Sequence, residues 1–313
     1  MPLCDLLDLQ LSVPDPDGLV AFWEGLGMTR TDHSTLGTAA RPSQLRVAEG
    51  PYRHVSELRL GCTDEADLAA IGARLDGLGV AWTLSDGVLR CHDPLADHDV
   101  VVVVGRAEPL APPPVRQVNG PGRRERVNRR STAAVRAEPA PPRRVGHVVF
   151  GSTDVAATVA FYRDGLGFLV SDVIDQGIGC FLRCSTDHHN LLVMPAPVPC
   201  MNHYAIEMDD VDAIGLAGMG VLAERPDASV YGIGRHVLGA NLFWYLLDPA
   251  GGMFELFSDM DQITDDAAWE AGDRRDDWDP FTIASWEPGP SRPDFFLPAD
   301  IDDLARARAA MGR

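Results

Sequence analysis

The chain has 313 residues, more than a single hydrophobic core usually organises, so two domains are expected. Acidic side chains outnumber basic ones 46 to 27, and a net charge of −19 argues against a general nucleic-acid or anionic-membrane binder. All 27 cations are arginine; with no lysine, Schiff-base, pyridoxal-phosphate and Walker-A phosphate-loop chemistry are excluded.

The first ten residues carry Asp5 and Asp8 and no cationic side chain, which does not fit a secretory signal. No apolar run is long enough to span a bilayer, so no transmembrane helix is expected. The six cysteines are scattered; only Cys180 and Cys184 are close, and no second pair completes a zinc site. Reduced, mostly buried thiols in a cytoplasmic protein are expected.

In chain order, Asp8-Leu9-Gln10-Leu11 is followed by Asp15, then Val20-Ala21-Phe22-Trp23, then Gly25-Leu26-Gly27. This predicts a strand, an Asp near a helix N-terminus, an amphipathic helix and a glycine-rich exit. The pattern returns as His147-Val148-Val149-Phe150, Asp154, Val159-Ala160-Phe161-Tyr162 and Gly165-Leu166-Gly167. A second unit also recurs: His54-Val55-Ser56-Glu57-Leu58 parallels His203-Tyr204-Ala205-Ile206-Glu207, and Asp93-Pro94 parallels Asp248-Pro249. Runs rich in strand formers, Val100 to Val104 and Leu242 to Leu247, accompany them.

Four copies of one βαβββ-type module therefore make an α+β protein of two tandem domains. Each is expected to be a curved, barrel-like, mostly antiparallel sheet with helices outside. The expected divisions are 1–105, a non-catalytic first domain; 106–144, a linker; 145–260, a metal-binding catalytic domain; and 261–313, an acidic extension ending in a helix that begins near Asp300. The linker holds eight prolines, ten arginines and three glutamates, a local charge of +7 inside a body of −26. It is expected to dock on an acidic surface such as residues 259–279, which carry nine acids against two arginines.

The chemistry concentrates in the second half. His147 opens one predicted strand, His203 opens the matching strand of the next module, and Glu255 sits between Phe254 and Leu256 on the last. A carboxylate on an apolar strand is costly to bury unpaired, and a metal ion would relieve that cost. Two neutral imidazoles and one carboxylate form the facial triad of non-haem Fe(II) oxygenases, which leaves coordination positions open. Fe(II) with one glutamate leaves a single positive charge, which a singly deprotonated catechol can neutralise.

Residues 145–257 resemble the type I extradiol ring-cleavage dioxygenases of the vicinal oxygen chelate superfamily. The resemblance rests on Gly146-His147-Val148-Val149-Phe150, the stretch Phe181 to Asn190, Asn202-His203-Tyr204-Ala205, Gly234-Arg235-His236, and Phe243 to Gly251 leading to Glu255. It implies that His147, His203 and Glu255 bind Fe(II), with Mn(II) as the other metal sharing this ligand set. It implies that His189 is the acid/base that takes a proton from the substrate hydroxyl, and that His236 and Tyr245 hold the substrate oxygens. The implied reactants are a catechol-type aromatic and O2, with no nucleic-acid or membrane partner, in a homo-oligomer.

Around the site, His188 is less suited than His189 because adjacent side chains on a strand face opposite ways. Asp187 is expected to cap the turn before the pair, and Gly232-Ile233-Gly234 to form a flexible loop. Trp23 and Tyr162 are assigned to the core; Phe181 and Trp244 fit either core or pocket wall. The first half has lost the triad: by alignment Asp8, His54 and Val100 stand for His147, His203 and Glu255. The rival readings are a glyoxalase-like isomerase of the same superfamily and a non-enzymatic ligand-binding protein of the same fold, with nucleic-acid binding through the arginine-rich linker last.

Overall fold

Each module begins with a strand and turns into a helix at an aspartate. In the computed structural model, which describes residues 2–106, 110–112, 125, 127–129, 141–174, 179–272, 284–287 and 295–312, the capping side chains are Asp15, Asp64, Asp154 and Asp210. Each accepts a hydrogen bond from a backbone N–H in the first turn, at 2.9–3.0 Å. Such caps contribute about 1 kcal/mol apiece. Asp64 and Asp210 were not singled out in the sequence, because their helices follow strands with less distinctive exits.

The first sheet holds β1 (Leu3–Val13), β2 (Thr29–Arg30), β3 (Thr35–Gly37), β4 (Leu45–Glu49), β5 (His54–Cys62), β6 (Trp82–Ser85), β7 (Val88–Asp93) and β8 (His98–Val104), in the order β2-β3-β4-β1-β5-β8-β7-β6. The second holds β9 (Arg144–Ser152), β10 (Leu169–Ile174), β11 (Gly179–Arg183), β12 (Leu191–Pro195), β13 (Cys200–Glu207), β14 (Ser229–His236), β15 (Leu242–Leu247), β16 (Met253–Ser258) and β17 (Ala284–Trp286), in the order β10-β11-β12-β9-β13-β16-β15-β14-β17. Modules meet side by side through the antiparallel pairs β1–β5 and β9–β13. Both sheets are open, so the barrel-like expectation holds for curvature and not for closure. The helices are α1 (Pro16–Gly25), α2 (Glu65–Gly77), α3 (Val155–Ala160, continued by a π-helical turn over Phe161–Leu166), α4 (Val211–Glu224), α5 (Asp266–Glu270) and α6 (Ile301–Ala310).

Period-two alternation sorts each strand between two faces. On the second sheet, Val148, Phe150, Leu182, Leu191, Tyr204, Ile206, Leu246 and Leu256 enter the helix-facing core, with Trp244 beside them packed over Gly218 of α4. The intervening residues, among them His147, His203, Tyr245 and Glu255, face the opposite, concave side. That assigns Trp244 to the core, while Phe181 joins the concave side next to His189, with ring centroids 4.9 Å apart.

The two halves share one core. Trp23 of α1 is fully buried against Tyr204 and Phe254 of the second sheet, and its Nε1 donates to the Tyr204 hydroxyl at 3.0 Å. Reciprocally, the Tyr162 hydroxyl is 2.7 Å from His98 Nε2 on the first sheet. Both residues expected in the core are there, and each carries a satisfied polar atom across the junction.

The C-terminal extension is not separate. β17 extends the second sheet, while α6 lies against the first half, where Arg308 pairs with Asp97 and Arg53 pairs with Asp300. Asp300 precedes the first turn of α6, as expected. At the end of the linker, Arg143 and Arg144 pair with Glu207, Asp209 and Asp187. Arg123, Arg124, Arg126 and Arg130 of its centre, and residues 273–279 of the acidic stretch expected to receive it, lie outside the described residues. Gly232-Ile233-Gly234 is not a loop. It forms a bulged part of β14, where a Cβ at Gly234 would meet the Phe243 ring at 2.6 Å and the Trp286 carbonyl at 2.8 Å.

Candidate metal centre

Three neighbouring strands build the centre. His147 on β9 pairs with Ala205 on β13, Ala205 pairs with Glu255 on β16, and His203 lies two residues before Ala205 on the same face. Register therefore brings the three side chains to one point, although 108 residues separate the first from the last. Their candidate ligand atoms lie within 4.8 Å of one another, and all three residues are buried. His147 Nε2 is 2.9 Å from Glu255 Oε2, and His203 Nε2 is 3.4 Å from the same oxygen.

Hydrogen bonding fixes the protons on His203. The Asn202 amide donates through Nδ2 to the carbonyls of Phe295 and Phe296, at 3.1 and 2.9 Å. Its Oδ1 therefore faces His203 Nδ1 at 2.7 Å and accepts that N–H. In the neutral ring Nε2 is then a bare lone pair. It is buried, without a hydrogen-bond partner, and directed at a carboxylate oxygen. Two lone pairs facing each other in a dry pocket need a cation between them, so the donor set fits a metal ion.

The electrostatics agree. Burial alone would push the Glu255 carboxyl up, but the imidazoles of His147, His203 and His236 outweigh it and hold the group well below the usual carboxylate range. Asn241 Nδ2 donates to Glu255 Oε1 at 2.8 Å and fixes the plane of the carboxylate. Burial, partly opposed by Glu255, lowers His203 to about 4. The His203 imidazole is thus kept in the neutral form that a metal requires.

The remaining predicted residues gather around this point. His189 packs at a tilt against His147, with centroids 4.3 Å apart; burial and the surrounding imidazoles push it well below the usual histidine range. The Tyr245 hydroxyl is 2.8 Å from His236 Nε2, and its ring meets His203 edge-on at 5.0 Å. Burial and the nearby Glu255 carboxylate raise the Tyr245 phenol well above its ordinary value, so it remains a donor.

Two expectations about the turn before β12 are corrected. His188 and His189 lie on a bend, not on a strand, and Asn190 Oδ1 organises it by accepting from the backbone N–H groups of Cys184 and Ser185. Of the pair only His189 packs on the His147 ring, and His188 and His189 hydrogen-bond each other through Nδ1 at 3.0 Å. Asp187 does not cap the turn; its carboxylate pairs with Arg144 at 2.6 Å. Sequence reasoning also missed Asn202 and Asn241, whose roles follow from contacts with chain segments that no local pattern joins.

The first half needs a second correction. Strand register places Asp8 at the position of His147, but Glu57 at that of His203 and Val101 at that of Glu255. His54 and Val100 are therefore not the counterparts. Alignment matched a histidine to a histidine and could not see the paired strands. At the position of the metal centre the first sheet instead carries a guanidinium: Arg46 contacts Asp8 through Nε at 2.8 Å and Nη2 at 2.6 Å, and Glu57 through Nη2 at 2.7 Å. Arg59 reaches Glu57 at 2.9 Å, and Arg90, at the register position of Tyr245, reaches it at 3.4 Å.

Comparison with known proteins agrees with this geometry. The description "Glyoxalase/Bleomycin resistance protein/Dioxygenase superfamily" matches residues 144–256. Metapyrocatechase 2 of Cupriavidus necator is 30% identical over 297 residues, covering 92% of this chain and 89% of that protein. In three dimensions the Mn(II)-bound glyoxalase of Novosphingobium aromaticivorans superposes with a TM-score of 0.69 at 21% identity, covering 94% of each chain. Homoprotocatechuate 2,3-dioxygenase of Arthrobacter globiformis gives 0.66 at 20% identity, covering 84% of this chain and 82% of its own; these two likenesses establish the fold. With near full-length similarity to a metapyrocatechase, the chain belongs to the extradiol ring-cleavage dioxygenases of the glyoxalase/bleomycin resistance/dioxygenase superfamily.

Proposed function

We propose that this protein is an Fe(II)-dependent extradiol dioxygenase that opens a catechol-type ring beside its hydroxyls and inserts both atoms of O2. The observation that carries the reading is the bare, buried Nε2 of His203 directed at Glu255 beside His147. In this reading His147, His203 and Glu255 hold the metal. Fe(II) bound there would bring a catecholate and O2 to neighbouring positions and supply the electron transfer that dioxygen needs.

The protein's own groups do the rest. His189, kept neutral by its surroundings, accepts a proton from a substrate hydroxyl and later returns it. Tyr245 and His236, joined by their hydrogen bond, offer donors to the substrate oxygens. Phe181 and Phe257 flank His189 and His147 and keep water out.

The proposed organisation keeps residues 1–105 as a non-catalytic domain, 106–144 as a connector, 145–260 as the catalytic domain and 261–313 as an extension. A charged network in place of metal ligands on the first sheet supports this division. Six unpaired thiols support a reducing, cytoplasmic setting, and the exposed Trp286 on an edge strand supports a homo-oligomer. Light scattering tests the assembly.

The deciding experiment is anaerobic loading with Fe(II), and separately Mn(II), followed by air and a panel of catechols. A yellow ring-opened product with Fe(II) is expected. No product from any catechol, or isomerase activity on a thiol adduct of an α-ketoaldehyde, would overturn the proposal in favour of the isomerase reading.

A further inference from the structure

A line of hydrogen bonds leads from the metal centre to the protein surface. His189 Nδ1 is 3.0 Å from His188 Nδ1, and His188 Nε2 is 2.8 Å from Asp172 Oδ2 on β10. The His188 side chain is fully buried, whereas that of Asp172 is 25% exposed. The two rings stand perpendicular, so that the N–H of one can point along the lone pair of the other. Their positions are firmly set: the His188 backbone N–H donates to the Asp261 carbonyl at 2.8 Å, and Trp269 and Phe181 pack on the ring.

The donor inventory determines the protons along this line. A carboxylate only accepts, so Asp172 requires N–H on His188 Nε2. A neutral imidazole has one N–H, so His188 Nδ1 is then an acceptor, and it requires N–H on His189 Nδ1. The single proton of a neutral His189 is thereby spent, and His189 Nε2 is left bare. A ring in the opposite tautomer presents N–H to the substrate and cannot remove its proton.

We infer that Asp172, acting through His188, fixes the tautomer of His189 so that Nε2 is the base that faces the substrate. The inference rests on the acid/base role of His189 given above. Asp172 and His188 are positioning residues: neither touches substrate. When His189 takes a proton at Nε2, the bond it forms is N–H and the bond that breaks is the substrate O–H. The cation so formed keeps Nδ1–H directed at His188, with the Asp172 carboxylate at the far end of the line.

The test has two arms. Long-range proton–nitrogen NMR correlation on metal-free protein near pH 8 reads the tautomers directly. Protons on His188 Nε2 and His189 Nδ1 are expected in the wild type, with mixed His189 tautomers in Asp172→Ala. In Fe(II)-loaded protein, Asp172→Ala is expected to lose about 10- to 100-fold in kcat while KM and iron content stay within about twofold. A wild-type His189 protonated on Nε2, or Asp172→Ala with unchanged kcat, would overturn the inference. A wild type with the expected tautomers but no turnover of any catechol would instead refute the dioxygenase reading and leave the tautomer assignment standing.

Discussion

Arg46→Met removes the guanidinium from the first sheet while leaving a side chain of comparable length. Three contacts of 2.6–2.8 Å to Asp8 and Glu57 are lost, and those carboxylates are only 7% and 15% exposed. Removing one partner of a buried pair typically costs about 3–5 kcal/mol. Arg59 remains 3.6 Å from Asp8 and 2.9 Å from Glu57, so a loss of about 2–3 kcal/mol is expected at neutral to mildly basic pH.

The loss should depend on pH, with a definite sign. Burial already holds the Asp8 carboxyl above its ordinary value, against the pull of Arg46 and Arg59. A raised carboxyl favours the fold while protonated, and that contribution fades as pH rises through its folded value. Burial also pushes Glu57 up, but Arg59 and Arg46 outweigh it and lower the group; its contribution is present above the unfolded carboxyl value and is lost as pH falls. Without Arg46 both carboxyls move up, so the variant's deficit is greatest near pH 8 and shrinks toward pH 5 as they take up protons. Urea unfolding at both pH values measures this. A deficit below about 0.5 kcal/mol near pH 8, or one equal at the two pH values, would refute the reasoning. Metal content and turnover should be unchanged, because the metal centre lies on the other sheet.

His203→Ala should emerge with almost no iron and no ring cleavage, as metal analysis and the catechol assay will show. His189→Phe should retain iron and bind catechol anaerobically while kcat falls by about 10²–10⁴, measured in single-turnover kinetics. Asn202→Ala removes the acceptor that orients His203 and the donor that holds Phe295 and Phe296, so metal affinity should weaken by about 10- to 100-fold in a chelator competition. For the metal-free protein, His203 is held at about 4, so the unfolded chain binds its proton first as pH falls. Stability should therefore decline as pH falls from the ordinary histidine value to about pH 4; metal loading should raise stability without removing that decline, because a ligated imidazole binds no proton either.

The grouping of His147, His203 and Glu255 is legible in the sequence because each sits on a strand with its own recognisable neighbours, and because the modules repeat. Asn202 and Asn241 are not, since an amide acquires its role only from what the fold brings to it: two carbonyls of a remote segment in one case, Glu255 in the other. The strand argument against His188 fails on a bend, where both rings of the pair come to lie along one hydrogen-bonded line. The comparison of His54 with His203 failed because paired strands, and not spacing along the chain, decide which residues correspond. The capping aspartates Asp15 and Asp154 show the opposite case, in which a local rule suffices and recurs without distortion.

The guanidinium on the first sheet is a cation that cannot leave. It is not removed by chelators, does not exchange with competing metals and does not change oxidation state in air. The charged network of the first sheet is thereby complete without any metal, and through Trp23 and Tyr204 that sheet's domain is docked against the strands that carry the candidate metal centre. Loss of a metal from the second sheet would then leave the network of the first in place.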